Sequence, residues 1–289
     1  MTVHRIAQDM SMLTETEVRP HIVVWTPGGE DLSTSFGANC TAIIADRAVI
    51  LVDPLASPAH ARQVDAALRA RTQAPVRFVV LTHHHSDHAL GASLFARQGA
   101  AVITHRACRE RMIAEHPALI EQRRAQPATR EWYADAEPVL PAVTFDDGLT
   151  LHAGGREIEI WHQAWGHTPG DAFLFLPADR VAVCGDLASA GYHHNYPDAS
   201  LDGLRRGLDA LRALDADVFI PGHGPVGGAE VIERQAAYHD AVEALVRGAA
   251  DEGRDDTATA AAIRERFPDY KLTMVIPTAV ARLRGPSKS

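Results

Sequence analysis

The chain alternates short apolar runs with polar, glycine-rich breaks, and these runs divide into strand and helix patterns. Residues 21–26 and 40–53 carry strand patterns, clearest in Val49-Ile50-Leu51-Val52. Between them, Pro27-Gly28-Gly29-Glu30 and the stretch from Asp31 to Phe36 read as a polar loop. Ser57 to Thr72 has helical spacing, with Val64, Ala67 and Leu68 on the inward face. Phe78 to Thr82 is a strand, Ala89 to Gly99 a helix stopped by glycine, and Ala101 to Thr104 a strand. Residues 106–125 read as a longer helix, and a proline-containing segment follows it to Pro141. Strands are predicted near 149–152, 157–163, 172–176, 181–184 and 217–220, with helices near 201–214 and 229–250 and a helical tail over 251–289. Strand–helix units, a strand meander and a second strand–helix part imply two sheets between outer helices in one elaborated domain, 1–289.

The chemistry concentrates where the 78–82 strand ends. His83, His85, Asp87 and His88 place four metal-binding side chains within six residues, and His84 is a fifth candidate. Imidazole and carboxylate suit zinc and its neighbours. Ligands at 83 and 85 and an adjacent pair at 87 and 88 cannot all reach one ion from a regular element. A loop leaving a strand splits them into two half-sites. A histidine run can also be a solvated loop or an expression tag, but this one is internal, between a strand and a helix pattern. Three further candidates lie downstream beside glycines: His167 in Gly166-His167-Thr168-Pro169-Gly170, Asp186 after Cys184-Gly185, and His223 in Gly222-His223-Gly224. Polar groups at the ends of buried strands are where open sheets place their sites.

In this order, the four motifs resemble the metallo-β-lactamase superfamily, from about Phe36 to Gly224. The resemblance implies a four-layer αββα sandwich with the metals at one edge between the sheets. It implies His83, His85 and His167 on a first metal, Asp87, His88 and His223 on a second, and Asp186 bridging them. Asp53, in Leu51-Val52-Asp53-Pro54, matches an acidic residue that supports the ligand loop through hydrogen bonds; it also reads as a plain turn residue before proline. Two divalent ions about 3.5–4 Å apart bind a bridging water and lower its pKa toward roughly 7. Asp87 is the catalytic candidate, orienting that nucleophile and passing its proton to the leaving group. A ligand set of histidine and aspartate without thiolate favours two zinc ions per chain and leaves iron or manganese open.

The expected function is hydrolysis of a small carbonyl substrate: an ester, thioester, lactone or β-lactam amide. The alternative is a mononuclear iron dioxygenase acting on a sulfur or persulfide substrate, which uses fewer ligands. Gly222-His223-Gly224-Pro225 departs from the glyoxalase II pattern, and Leu187-Ala188-Ser189 after Asp186 departs from the homoserine-lactone lactonases. The best-known zinc β-lactamases carry cysteine or serine where this chain has Asp186. The loop 27–39 is placed as a flap, residues 106–141 as a lid, and Tyr192, His193, His194 and Asn195 at the rim. The lid segment reads equally as a surface helix packed by Met112, Ile113, Leu119 and Ile120. The stretch from Phe267 to Arg284 packs on the core or on a second subunit, so a homo-oligomer stays open.

Composition narrows the partners. The formal net charge of −9 disfavours nucleic acid. No stretch is long and apolar enough for a membrane span, and Asp9, Glu15 and Glu17 leave no secretory pattern, so a cytoplasmic location is expected. Cys40, Cys108 and Cys184 are scattered and odd in number, which gives no disulfide framework.

Overall fold

The computed structural model describes residues 13–284. The acidic position Asp9 and the last five residues of the expected tail lie outside them. The first sheet has seven strands: β1 (Thr14–Arg19), β2 (Ile22–Thr26), β3 (Cys40–Ala45), β4 (Ala48–Val52), β5 (Val76–Val80), β6 (Ala101–His105) and β7 (Val143–Phe145), in that spatial order. β1 to β4 run as an antiparallel meander, and β4 to β7 are parallel neighbours. Parallel neighbours need crossovers. These are α1 (Pro58–Arg69), the short pair α2 (Ser86–Ala89) and α3 (Ala92–Arg97), and α4 (Arg106–Ala125).

The second sheet has five strands in the order β12-β11-β10-β9-β8: β8 (Gly148–Ala153), β9 (Arg156–Trp161), β10 (Phe173–Leu176), β11 (Val181–Ser189) and β12 (Val218–His223). β8 to β11 are antiparallel, and β12 runs parallel to β11 after α5 (Leu201–Arg212). The chain continues through α6 (Glu230–Asp251), α7 (Asp256–Arg266) and α8 (Ile276–Arg284).

Strand periodicity explains the layering. Side chains alternate between faces, and here both faces are buried, so the strands read as continuous apolar runs. In β4, Ile50 and Val52 face the second sheet, joining Ile22, Val80, Leu174 and Ile220 in the central core. Val49 and Leu51 point the other way, against Val64 and Leu68 of α1 and Phe95 of α3. In β11, Val181 and Val183 enter the central core, while Ala182 and Cys184 pack with Leu204, Leu208 and Val242 beneath the other helices. This is the expected four-layer αββα sandwich.

Several boundaries differ from expectation for physical reasons. β1 was missed because TETEVR is an exposed polar edge strand. The helix expected over 89–99 is broken at Gly91, whose amide donates to Leu55 O at 2.8 Å; a Cβ there would stand 1.9 Å from Pro54 O. β11 and β12 run further than expected, so Asp186 and His223 lie within strands rather than after them. The 27–39 loop contains a short 3-10 turn, Leu32–Gly37, capped by Asp31. Among the described residues, no helix is long and apolar enough to cross a membrane.

Candidate metal centre

The sequence motifs, distant along the chain, meet where β5 and β12 end, beside the middle of β11. After β5 the backbone turns through Thr82 to His85, which precedes α2. Asp53 anchors this turn. Its Oδ1 accepts the Thr82 amide at 2.8 Å, its Oδ2 accepts the Thr82 hydroxyl at 2.6 Å, and Nδ1 of His88 lies 3.0 Å from Oδ2. The supporting role, not the plain turn residue, describes Asp53.

Four groups of potential ligand atoms result among the described residues. Asp53-His83-His88 and His84-His85-Asp198 overlap with the other two, which share no residue and hold the predicted ligands. His83, His85 and His167 form one, and Asp87, His88 and His223 form the other, each with its ligand atoms within 4.8 Å of one another. Asp186 stands between them. Its Oδ2 is 3.4 Å from Nε2 of His167, 3.9 Å from Nε2 of His83 and 3.3 Å from Nε2 of His223, and its Oδ1 is 3.3 Å from Nε2 of His88. All seven sequence-predicted residues are therefore brought together. His84 is not: it turns toward Glu115 of α4 at 3.4 Å and groups with His85 and Asp198.

The imidazoles are oriented as metal ligands are, with one nitrogen fixed by an outer partner and the other directed inward. Nδ1 of His83 meets the Thr82 hydroxyl at 3.0 Å, and Nδ1 of His223 meets Phe36 O at 3.0 Å. Nδ1 of His167 meets Nε2 of His194 at 3.1 Å, and Nε2 of His85 meets Asp198 at 3.1 Å. The inward nitrogens crowd together. Nδ1 of His85 is 2.8 Å from Nε2 of His167, and Nε2 of His88 is 3.2 Å from Nε2 of His223. Nε2 of His83 and Oδ1 of Asp186 are buried without a hydrogen-bond partner. Converging lone pairs and orphaned buried polar atoms fit a cation at each group.

The buried groups also shift one another's titration. Burial pushes His83 and His167 well below the ordinary histidine range, leaving neutral imidazoles able to donate a lone pair. Burial also opposes the protonation of His88, but Asp186, Asp87 and Asp53 outweigh it and hold that imidazole well above the ordinary range. Burial opposes ionisation of Asp186, yet His223 and His88 hold its carboxyl well below the usual carboxylate range.

Close backbone approach makes room for Asp186. A Cβ on Gly222 would stand 1.9 Å from Asp186 Oδ1, and Gly185 takes φ +53° against Thr82. This is the physical content of the glycines beside both ligands.

The centre opens into a cavity of about 330 Å³. Phe36 of the 27–39 loop lines it, as do His193, His194 and Asn195, whereas Tyr192 packs beside His223 and donates to Gly29 O at 2.9 Å. From the segment expected as a lid, α4 contributes Glu115, His116, Leu119 and Arg123. Its Met112 and Ile120 are buried in cores, so the helix is both packed and cavity-lining. Leu272, Met274 and Val275 complete the wall. His194, expected at the rim, lines the cavity and also partners His167, whereas Asp198, the partner of His85, was missed. Asp198 lies in a loop with no motif of its own, and only its place in space marks it.

Comparison with known proteins agrees with this geometry. Residues 33–223 match the family model described as metallo-beta-lactamase superfamily. A linear primary-alkylsulfatase from Pseudomonas sp. (strain ATCC 19151) is 25% identical over 224 residues, covering 66% of this chain and 42% of its own. A metallo-beta-lactamase type 2 from Bacteroides fragilis is 28% identical over 99 residues, covering 32% of this chain and 40% of its own. The chain thus spans about four tenths of the length of these relatives. Among solved structures, a metallo-beta-lactamase from Pontibacter korlensis superposes with a TM-score of 0.64 at 20% identity, covering 79% of this chain and 99% of its own. The metallo-beta-lactamase FIM-1 from Pseudomonas aeruginosa, in its mono-zinc form, gives 0.63 at 19% identity, with coverage of 80% and 96%. With the family model spanning most of its length and both halves of the sandwich in place, the chain belongs to the metallo-beta-lactamase superfamily.

Proposed function

We propose that the protein is a dinuclear zinc-dependent hydrolase of a small carbonyl substrate: an ester, thioester, lactone or β-lactam amide. The observation that carries this reading is the pair of three-residue ligand groups joined by Asp186. A mononuclear iron dioxygenase needs one group, so the second group weighs against that alternative. His83, His85 and His167 would hold one ion and Asp87, His88 and His223 the other, with Asp186 shared. Zinc bound there supplies Lewis-acid chemistry and lowers the pKa of water toward about 7.

The chain's own residues do the remaining work. Asp87 lines the cavity, its Oδ2 3.4 Å from Nε2 of His223 and 3.5 Å from Nε2 of His88. It is placed to hold a proton taken from water and return it to the departing group. His194 and Asn195 line the same space, and His194 also holds His167 in place. The buried wall around His167 and His88 excludes bulk water, which strengthens each polar contact.

A second reading, hydrolysis of a sulfate ester, is favoured by the alkylsulfatase likeness, which runs over 224 residues. The same Lewis-acid centre suits that bond. Metal analysis and rates on a lactone, a thioester, a β-lactam, an alkyl sulfate and a single-stranded oligonucleotide, at matched zinc, separate these readings. About two zinc per chain and the best kcat/KM on a carbonyl compound are expected. One iron per chain with oxygen consumption, or the oligonucleotide as best substrate, would overturn the proposal.

A further inference from the structure

The cavity over the metal centre holds a cation that the ligand set does not use. Arg123 lies in the last turn of α4 and lines the cavity. Its neighbours on that helix are paired: Arg124 bonds Glu121 and Tyr133 O, and Arg111 bonds Glu115 and Asp198. Arg123 has no ion pair or side-chain hydrogen bond among the described residues, and its Nε is buried without a partner. A cation at a helix C-terminus also interacts with the helix dipole. That interaction works from solvent and does not require a buried, unmatched guanidinium N–H. Such a group costs stability until an acceptor reaches it.

The surroundings specify what that acceptor is attached to. Phe36, Leu119, Leu272, Met274 and Val275 form an apolar wall in the same cavity, with Met274 left 53% exposed. Arg123 makes no ion pair with Asp87 or Asp186 among the described residues, and it lines the cavity together with them. A substrate with its reacting group at the metal centre therefore meets an apolar surface and, separately, one unpaired cation. We propose that the substrate carries a carboxylate remote from its scissile bond, joined to it by an aliphatic body, and that Arg123 binds that carboxylate. The guanidinium fork matches a carboxylate bidentately, and a single cation suits a monoanion rather than a phosphate dianion. The cavity volume of about 330 Å³ falls in the range of small-molecule sites. The assignment rests on the hydrolase reading for which end of the substrate reacts. The anion site itself can be tested without turnover.

Two measurements on the zinc-loaded full chain decide it. The first compares kcat/KM for mono-4-nitrophenyl glutarate, which carries the remote carboxylate, with the neutral 4-nitrophenyl valerate. Wild type is expected to prefer the glutarate ester by about tenfold or more, through KM, as a charge-assisted bond allows. Arg123→Gln brings the ratio near one, and Arg123→Lys restores part of it, with zinc content and thermal midpoint recorded for each. The second is calorimetric binding of suberate and octanoate, which differ by the distal carboxylate. Suberate is expected to bind wild type about tenfold more tightly and to lose that advantage in Arg123→Gln. No preference in wild type, or a preference that survives Arg123→Gln, overturns the proposal in either measurement. If neither ester is cleaved, the calorimetry alone decides the role of Arg123, and the hydrolase reading is decided on the wider substrate panel.

Discussion

The Asp53 carboxylate ties the end of β5 to a metal-facing histidine: it accepts two hydrogen bonds from Thr82 and lies 3.0 Å from Nδ1 of His88. Asp53 does this from a left-handed backbone, φ +53°, just after β4. Asparagine tolerates that conformation and keeps one carbonyl oxygen, so Asp53→Asn removes the charge without forcing the backbone. With its oxygen toward the Thr82 hydroxyl and His88, the amide sets its NH2 against the Thr82 N–H. Flipped, it offers His88 a donor in place of an acceptor, so either the loop or the ring loses its orienting partner. Zinc affinity at the Asp87–His88–His223 group should fall about 10–100-fold, the usual consequence of losing an outer-shell partner. Competitive chelator titration reads this directly; unaltered affinity of the weaker zinc would show that the contact orients nothing.

The two ligand groups should lose their ions separately. His88→Ala and His223→Ala are expected to leave about one zinc per chain on the group of His83, His85 and His167. His83→Ala and His167→Ala should deplete that group first. Equilibrium dialysis against graded zinc, followed by metal analysis, distinguishes the pairs. Equal loss of both ions in all four variants would mean that the groups are one cooperative site.

Most of the centre was legible because ligands need particular side chains beside glycine at strand ends. His83, His85, Asp87 and His88 announce themselves in one loop, and Gly222 marks His223 through its contact with Asp186. The order of strand–helix units and the strand meander implied two sheets between helices, and the family resemblance implied the four-layer αββα sandwich. What did not show in sequence depends on tertiary placement. Asp198 and His194 become partners of His85 and His167 only when loops far along the chain fold over the centre. Leu272, Met274 and Val275 read as ordinary tail hydrophobics, and nothing local says that they wall a cavity. β1 lacks an apolar face to announce it, and Gly91 breaks a helix because of Pro54, a neighbour 37 positions earlier in the numbering.

His60 gives a pH signature away from the metals. It is buried on α1, with Nδ1 2.7 Å from the Ser57 hydroxyl and Nε2 3.1 Å from Ser33 O in the 27–39 loop. Burial lowers its pKa to about 4, against a partial rise from the Ser33 carbonyl. The unfolded chain, with histidine near 6.5, therefore binds a proton that the folded chain refuses. The stability from neutral His60 is complete above about 6.5 and is lost as pH falls toward about 4. His60→Gln should flatten this part of the curve while lowering stability at pH 7.5 by about 1–2 kcal/mol through imperfect replacement of the two hydrogen bonds. Denaturant melts of metal-free wild type and variant between pH 4 and 7.5 give the comparison. Parallel curves would remove His60 from the pH dependence.

Asp186 is the point at which both halves of the centre are joined, so its substitution should separate catalysis from folding. The carboxylate lies within 3.9 Å of imidazole nitrogens from His83, His88, His167 and His223. Asp186→Asn keeps the volume and removes the charge that two cations would share, while six ligands remain. Turnover should drop about 100-fold or more, in keeping with the several kcal/mol a metal centre supplies. The metal-free protein should lose some stability, because His88 and His223 lose the carboxylate that offsets their burial, but it should stay folded at the assay temperature. Gly222→Ala approaches the same atom from the other side. Its Cβ would stand 1.9 Å from Asp186 Oδ1, so either the side chain or the β12 backbone must move. If the position of Asp186 matters, Gly222→Ala should lose zinc and turnover together with Asp186 chemically intact. Wild-type turnover and full zinc occupancy in both variants would exclude a bridging role for Asp186; loss in Gly222→Ala alone would assign the effect to the His223 strand.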